Sequence, residues 1–176
     1  MTLASKITLV RVAFIPVYMV LMYLSGGKPG LWLWLALAVF IVASLTDYVD
    51  GQIARKRNQV SDFGKFMDPL ADKLLTIAAM VIFCEWGMLP GWALMLVLTR
   101  EFAVTGLRLV AAGNGTVIAA GWSGKVKTAS TMVGLCVWMA FLGVDWIGWL
   151  VTAVIVVTTV YSGVEYFIKN WKCIWK

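Results

Sequence analysis

Between residues 47 and 72 the chain reads DYVDGQIARKRNQVSDFGKFMDPLAD, which sets four aspartates, Asp47, Asp50, Asp68 and Asp72, into one short segment. Asp47 and Asp50 are three residues apart and Asp68 and Asp72 four apart, so on helices each pair shares a face. Two carboxylate pairs brought together form a cage of hard oxygen donors, the ligand type that suits Mg2+ or Mn2+. The chain contains no histidine, which removes the commonest general base and the usual zinc ligand. Proton transfer then falls to carboxylates, Lys or Tyr. Metal-assisted chemistry on a phosphate is what these residue types and spacings fit.

The elements that must position these acids are membrane helices. Of 176 residues, 61% are hydrophobic and 14% charged, and the mean hydropathy is +0.87. A soluble domain runs nearer about 45–50% apolar and about 25% charged. A spanning helix takes about 20 residues, so the chain has room for six spans and no second, soluble domain. The expectation is an all-α integral membrane protein, with residues 1–176 forming a single transmembrane catalytic domain. Apolar runs separated by charge or by Gly and Pro predict spans at 8–25, 31–54, 67–86, 90–112, 124–143 and 146–168. Lys6 and Arg11 before FIPVYMVLMYL superficially resemble a signal peptide, but Arg11 interrupts the apolar stretch and no small-residue cleavage site follows. This segment is read as the first span. Cys84, Cys136 and Cys173 have no ligand spacing and are read as packing residues.

Charge sets the expected orientation. Loops 25–30, 85–91 and 142–145 carry Lys28 as their one positive charge, whereas Lys6, Arg55, Lys56, Arg57, Lys65, Lys125, Lys127, Lys169, Lys172 and Lys176 fall on the other side. The positive-inside rule puts that second side, both termini and all four aspartates in the cytoplasm. Trp32, Trp34, Trp86, Trp92, Trp146 and Trp149 flank the opposite loops as an aromatic belt. The net charge of +6 is assigned to topology and anionic lipid rather than to nucleic acid.

Asp47 and Asp50 near a helix C-terminus run against the macrodipole, which favours basic residues there. Gly51 and Ala54 remove bulk from the same region, as helix-packing positions or as the floor of a groove. Arg55 adds a bidentate phosphate donor at its rim. Asp68 precedes Pro69 and taken alone also reads as a helix N-cap. That reading does not explain Asp72.

The whole segment resembles the signature of the CDP-alcohol phosphatidyltransferases, with Asp47, Asp50, Gly51, Ala54, Arg55, Gly64, Asp68 and Asp72 filling every motif position. The resemblance implies a six-helix membrane enzyme of the bacterial cytoplasmic membrane, a homodimer, with a two-metal site that opens to the cytoplasm. It implies Asp47, Asp50, Asp68 and Asp72 as metal ligands and Asp72 as general base. It also implies Asp47, Gly51, Ala54, Arg55 and Asp68 at the CDP-diacylglycerol site. The cofactor is then a pair of Mg2+ or Mn2+ ions.

The acceptor alcohol is read from residues 98–130. Arg100 and Glu101 fall inside span four, where charge is costly and is usually functional or paired. Arg108, Lys125 and Lys127, with Thr128 beside them, are the candidate holders of a phosphomonoester; as a plainer alternative, Lys125 and Lys127 anchor span five at the surface. Gly124-Lys-x-Lys-Thr128 after AAG-x-G-T-x-IAA resembles the branch of the family whose acceptor is glycerol 3-phosphate, as do Thr8-x2-Arg11, Pro16 and Ser162-Gly-Val-Glu-Tyr166. Ser5 departs from that branch, which commonly has Asn there. Rival readings are a sister enzyme with another acceptor (phosphatidylglycerol or an inositol phosphate), a cation transporter, and a non-catalytic membrane scaffold.

Overall fold

A computed structural model describes the backbone of residues 3–57, 62–113 and 121–170, and the side chains of 12–46, 73–111 and 121–170. Among the described residues six helices follow one another: α1 (Leu3–Ser25), α2 (Leu31–Arg57), α3 (Asp62–Glu85), α4 (Gly91–Gly113), α5 (Trp122–Ala140) and α6 (Asp145–Asn170). There is no strand among the described residues. Each predicted span falls mainly on one helix: α1, α2, α3 and α6 run past the apolar stretch, while α5 ends at Ala140, three residues short of the expected 143. The largest extensions, five residues each, are at the starts of α1 and of α3, which begins at Asp62 within the charged linker.

Glycines stop the helices at one end of the bundle. Gly26 and Gly27 close α1, Gly87 closes α3 and Gly143 follows α5, all at positive φ between 57° and 103°. After α3 the turn is a Schellman motif: Gly87 N–H donates to the Cys84 carbonyl at 3.0 Å and Met88 N–H to that of Phe83 at 2.9 Å. Gly27 lies against the Trp86 ring, and Tyr23 Oη donates to Glu85 at 2.7 Å, which joins the α1–α2 and α3–α4 turns.

Short turns make the helices alternate in direction, and packing closes them into a ring in the order α1, α2, α5, α6, α4, α3, with α3 also touching α2 and α5. The interior of the turn-bearing end is apolar and aromatic. Phe83 and Trp138 stack at 4.7 Å, Tyr18 packs on Phe40 at 5.6 Å, and Met22, Met80, Leu135 and Ile155 fill the space between them. The outside of the bundle is apolar as well. Phe102, Leu109, Trp149, Val157 and Ile168 are each more than 60% exposed, whereas Glu101 and Lys127 are buried. By length and composition α6 is apolar enough to cross a membrane; it is the one such helix among the described residues, with shorter apolar stretches at Val12–Ser25 and Leu31–Thr46.

Candidate active site

The aspartate segment occupies the last turns of α2 and the first turns of α3. Positions 47, 50 and 54 share one face of α2, and 64, 68 and 72 one face of α3, by helical spacing. Since α3 begins at Asp62, Asp68 stands well inside it, which removes the reading of Asp68 as an N-cap. The side chains of Asp47, Asp50, Gly51, Ala54, Arg55, Gly64, Asp68 and Asp72 lie outside the described residues. Among the described residues, no three of His, Cys, Asp and Glu gather as a metal-binding group.

One residue beyond Asp72 a buried ion cluster begins. Glu101, on α4, is its centre. Glu101 Oε1 accepts from Lys127 Nζ at 2.6 Å and from Arg100 Nη1 at 3.1 Å, while Oε2 accepts from Lys73 Nζ at 2.9 Å. Lys73 Nζ also donates to Thr105 Oγ1 at 2.8 Å, and Arg100 Nη2 to Ser162 Oγ at 2.5 Å. Five residues of α3, α4, α5 and α6 are thereby tied to one carboxylate. A charge inside a low-dielectric bundle is tolerated only when paired and hydrogen-bonded, and Glu101 meets both conditions. Gly124 and Gly163 flank the Arg100 side chain. A Cβ on Gly124 would stand 3.4 Å from Arg100 Nη2, and one on Gly163 3.4 Å from Arg100 Cγ.

A second contact lies further along α4 and α6. Arg108 Nε donates to Tyr166 Oη at 3.0 Å, and the guanidinium carbon stands 5.4 Å from the centre of the Tyr166 ring. The Ser162-Gly-Val-Glu-Tyr166 stretch is therefore the strip of α6 that receives both arginines of α4. Beside it, an apolar groove of about 910 Å3 between α4 and α6 is lined by Leu96, Ala103, Val164 and Phe167, with Arg100 and Thr159. Arg100 Nε and Thr159 Oγ1 are buried without a hydrogen-bond partner among the described residues.

The four residues expected at the acceptor phosphate do not share one environment. Lys127 is buried in the Glu101 cluster, whereas Lys125, two residues away and so nearly opposite on α5, is exposed. Thr128 is exposed and donates to the Gly124 carbonyl of its own helix at 3.0 Å. Arg108 is engaged by Tyr166. Sequence reasoning missed Lys73, Thr105, Ser162 and Tyr166 as members of this polar interior. The available signal was Lys73 itself, a charge inside an apolar span that needs a partner there.

A ring of six helices among the described residues thus carries the four aspartates on α2 and α3 and a buried polar interior between α3, α4, α5 and α6. The chain belongs to the CDP-alcohol phosphatidyltransferase family, whose pattern matches residues 1–161. It is 44% identical to the CDP-diacylglycerol–glycerol-3-phosphate 3-phosphatidyltransferase of Bacillus subtilis (strain 168), over 98% of this chain and 96% of the relative. A probable phosphatidylglycerophosphate synthase of Mycobacterium tuberculosis (strain CDC 1551 / Oshkosh) is 37% identical over 93% of this chain and 79% of its own length. The CDP-diacylglycerol–glycerol-3-phosphate 3-phosphatidyltransferase of Shigella flexneri serotype 5b (strain 8401) is 36% identical over 92% and 91%.

Proposed function

We propose that the chain transfers the phosphatidyl group of CDP-diacylglycerol to sn-glycerol 3-phosphate, giving phosphatidylglycerol phosphate and CMP. The observation that carries this reading is near-full-length likeness to relatives named for that donor and that acceptor. The eight motif positions on α2 and α3 support the same reaction class.

In this reading Asp72 takes the proton from the primary hydroxyl of glycerol 3-phosphate. The freed oxygen attacks the phosphorus that bears diacylglycerol, and the bond from that phosphorus to the CMP oxygen breaks. Gly51 and Ala54 give the nucleotide close approach to α2, and Arg55 supplies a bidentate donor to its phosphates. Lys127 and Arg108 are the acceptor-phosphate donors best supported by position, with Lys125 and Thr128 nearer the surface. Four carboxylates with no His or Cys among them fit a hard divalent cation. Asp47, Asp50, Asp68 and Asp72 would hold two Mg2+ or Mn2+ ions, which when bound neutralise phosphate charge.

The same reading makes residues 1–176 one domain of six membrane spans in the bacterial cytoplasmic membrane, a homodimer with termini and active site facing the cytoplasm. Apolar side chains outside and paired charges inside support a lipid surround, since in water such a surface would be an aggregation liability. Exposed Trp32, Trp34, Trp92, Trp146 and Trp149 near the turn-bearing end support that end as the outer interface. Mass-spectrometric identification of the lipid made from CDP-diacylglycerol by the purified protein tests the acceptor. Phosphatidylglycerol phosphate is expected with glycerol 3-phosphate. A product formed only with phosphatidylglycerol or an inositol phosphate reassigns it.

A further inference from the structure

We infer that Glu101 is a positioning residue, whose buried carboxylate holds Lys127, Arg100 and Lys73 as one preformed cation cluster for the acceptor's phosphate. The inference rests on the proposed acceptor reading.

The charge balance is the first reason. A purely structural ion pair needs one cation per carboxylate, yet Glu101 gathers three cations within 3.1 Å. Among the described residues this leaves two positive charges in surplus at a buried site. A phosphomonoester carries about −1.5 to −2 at neutral pH, which matches the surplus. The donor count is the second. An ammonium has three N–H donors, and Lys127 gives one of them to Glu101. Arg100 gives its two Nη groups to Glu101 and Ser162 and leaves Nε buried without a partner among the described residues. A largely buried cluster with an open donor and, among the described residues, excess positive charge is suited to an anion.

Placement is the third reason. Glu101 cannot donate to a phosphate and repels it, so its contribution must be indirect. Lys73 directly follows Asp72 on α3, Arg100 and Glu101 are on α4, and Lys127 is on α5. The Lys73–Glu101 bridge of 2.9 Å therefore ties the helix of the proposed base to the helices of the phosphate-binding cations. The separation between the attacked hydroxyl and its base depends on that tie.

Two accounts of Glu101 give opposite signs. If only net charge mattered, Glu101→Gln would add positive charge to the site and lower the KM for glycerol 3-phosphate. If Glu101 fixes the cations in place, Glu101→Gln raises that KM by about tenfold or more and leaves the KM for CDP-diacylglycerol within about twofold. Glu101→Asp, which keeps the charge, should recover part of the loss. Where Glu101→Gln fails to fold, the paired variant Glu101→Gln/Lys127→Met removes both buried charges and keeps the bundle neutral at that contact. Full acceptor affinity in the folded pair would overturn the inference, because Lys127 would then be only a counter-ion. A loss larger than that of Lys127→Met alone, with donor affinity kept, supports it, because Glu101 also holds Arg100 and Lys73. A loss equal to that of Lys127→Met alone overturns it. An unchanged or lowered acceptor KM in Glu101→Gln would overturn it as well. Acceptor-dependent CMP release by the unaltered protein is measured alongside. Its absence indicts the choice of glycerol 3-phosphate, and the comparison is then run with whichever acceptor supports release.

Discussion

The two polar regions of this bundle are built on opposite electrostatic plans. On the end of α2 and the first turns of α3 the sequence sets four aspartates of like charge, a set of acids that in a membrane protein calls for a partner cation. On α3, α4 and α5 three cations surround one carboxylate, an arrangement that pairs the acid and, among the described residues, leaves positive charge over. In the proposed reading the first region takes metal ions and the second an anion, and Asp72 and Lys73 join them as sequence neighbours. A transfer between two phosphate-bearing substrates needs both plans side by side: one to neutralise the donor's pyrophosphate, one to seat the acceptor.

The largest effects should come from the aspartate region. Removing divalent cations with a chelator should abolish turnover, and replacing Asp72 by Asn should lower it by about 10²–10⁴-fold, the usual contribution of a positioned base. The Asp72→Asn protein should stay folded and still bind CDP-diacylglycerol, as read by melting temperature and by lipid-analogue binding. Full turnover without divalent ions would break the contrast between the two regions.

Next in size is Lys127→Ala. It should raise the KM for glycerol 3-phosphate by about ten- to a hundredfold, in the range expected when one partner of a buried charged contact is removed. The KM for the lipid should change far less. Equal effects on both would mean that the ion cluster supports the whole bundle rather than the acceptor.

Gly148→Ala serves as a control in the apolar end. A Cβ at Gly148 would meet three atoms of the Trp138 ring at 2.9 Å, and Trp138 is held against Phe83. Such overpacking should cost about 1–3 kcal/mol of stability, read as a lowered melting temperature in detergent with both KM values kept. Smallest is Tyr166→Phe, which removes the hydroxyl that accepts from Arg108 Nε at 3.0 Å but keeps the ring. A loss of about 1 kcal/mol for one hydrogen bond should appear as a few-fold rise in the acceptor KM. A larger change would move Arg108 into the centre of the anion site.

Helix placement was legible because apolar runs and Gly turns are local signals. The expected spans 31–54 and 146–168 fall on α2 and α6 with starts that agree within one residue. The far end of α2 and the near end of α3 run past their spans because hydropathy marks apolar stretches while backbone hydrogen bonding continues through charged residues. The aspartate motif was equally legible, since its eight positions lie within 26 residues. The ion cluster was not. Lys73, Glu101 and Lys127 are far apart in the chain, and only helix packing brings them to one carboxylate. Lys125 and Lys127, expected together at the acceptor phosphate, stand nearly opposite on α5, one exposed and the other buried, a difference that the helical turn sets.

The decisive measurement is CMP release by the purified protein in detergent, with CDP-diacylglycerol and Mg2+ or Mn2+ present and sn-glycerol 3-phosphate either added or left out. Release that requires both the metal ion and glycerol 3-phosphate is the expected result. Release indifferent to glycerol 3-phosphate, or none with any acceptor alcohol, would contradict the proposed reaction.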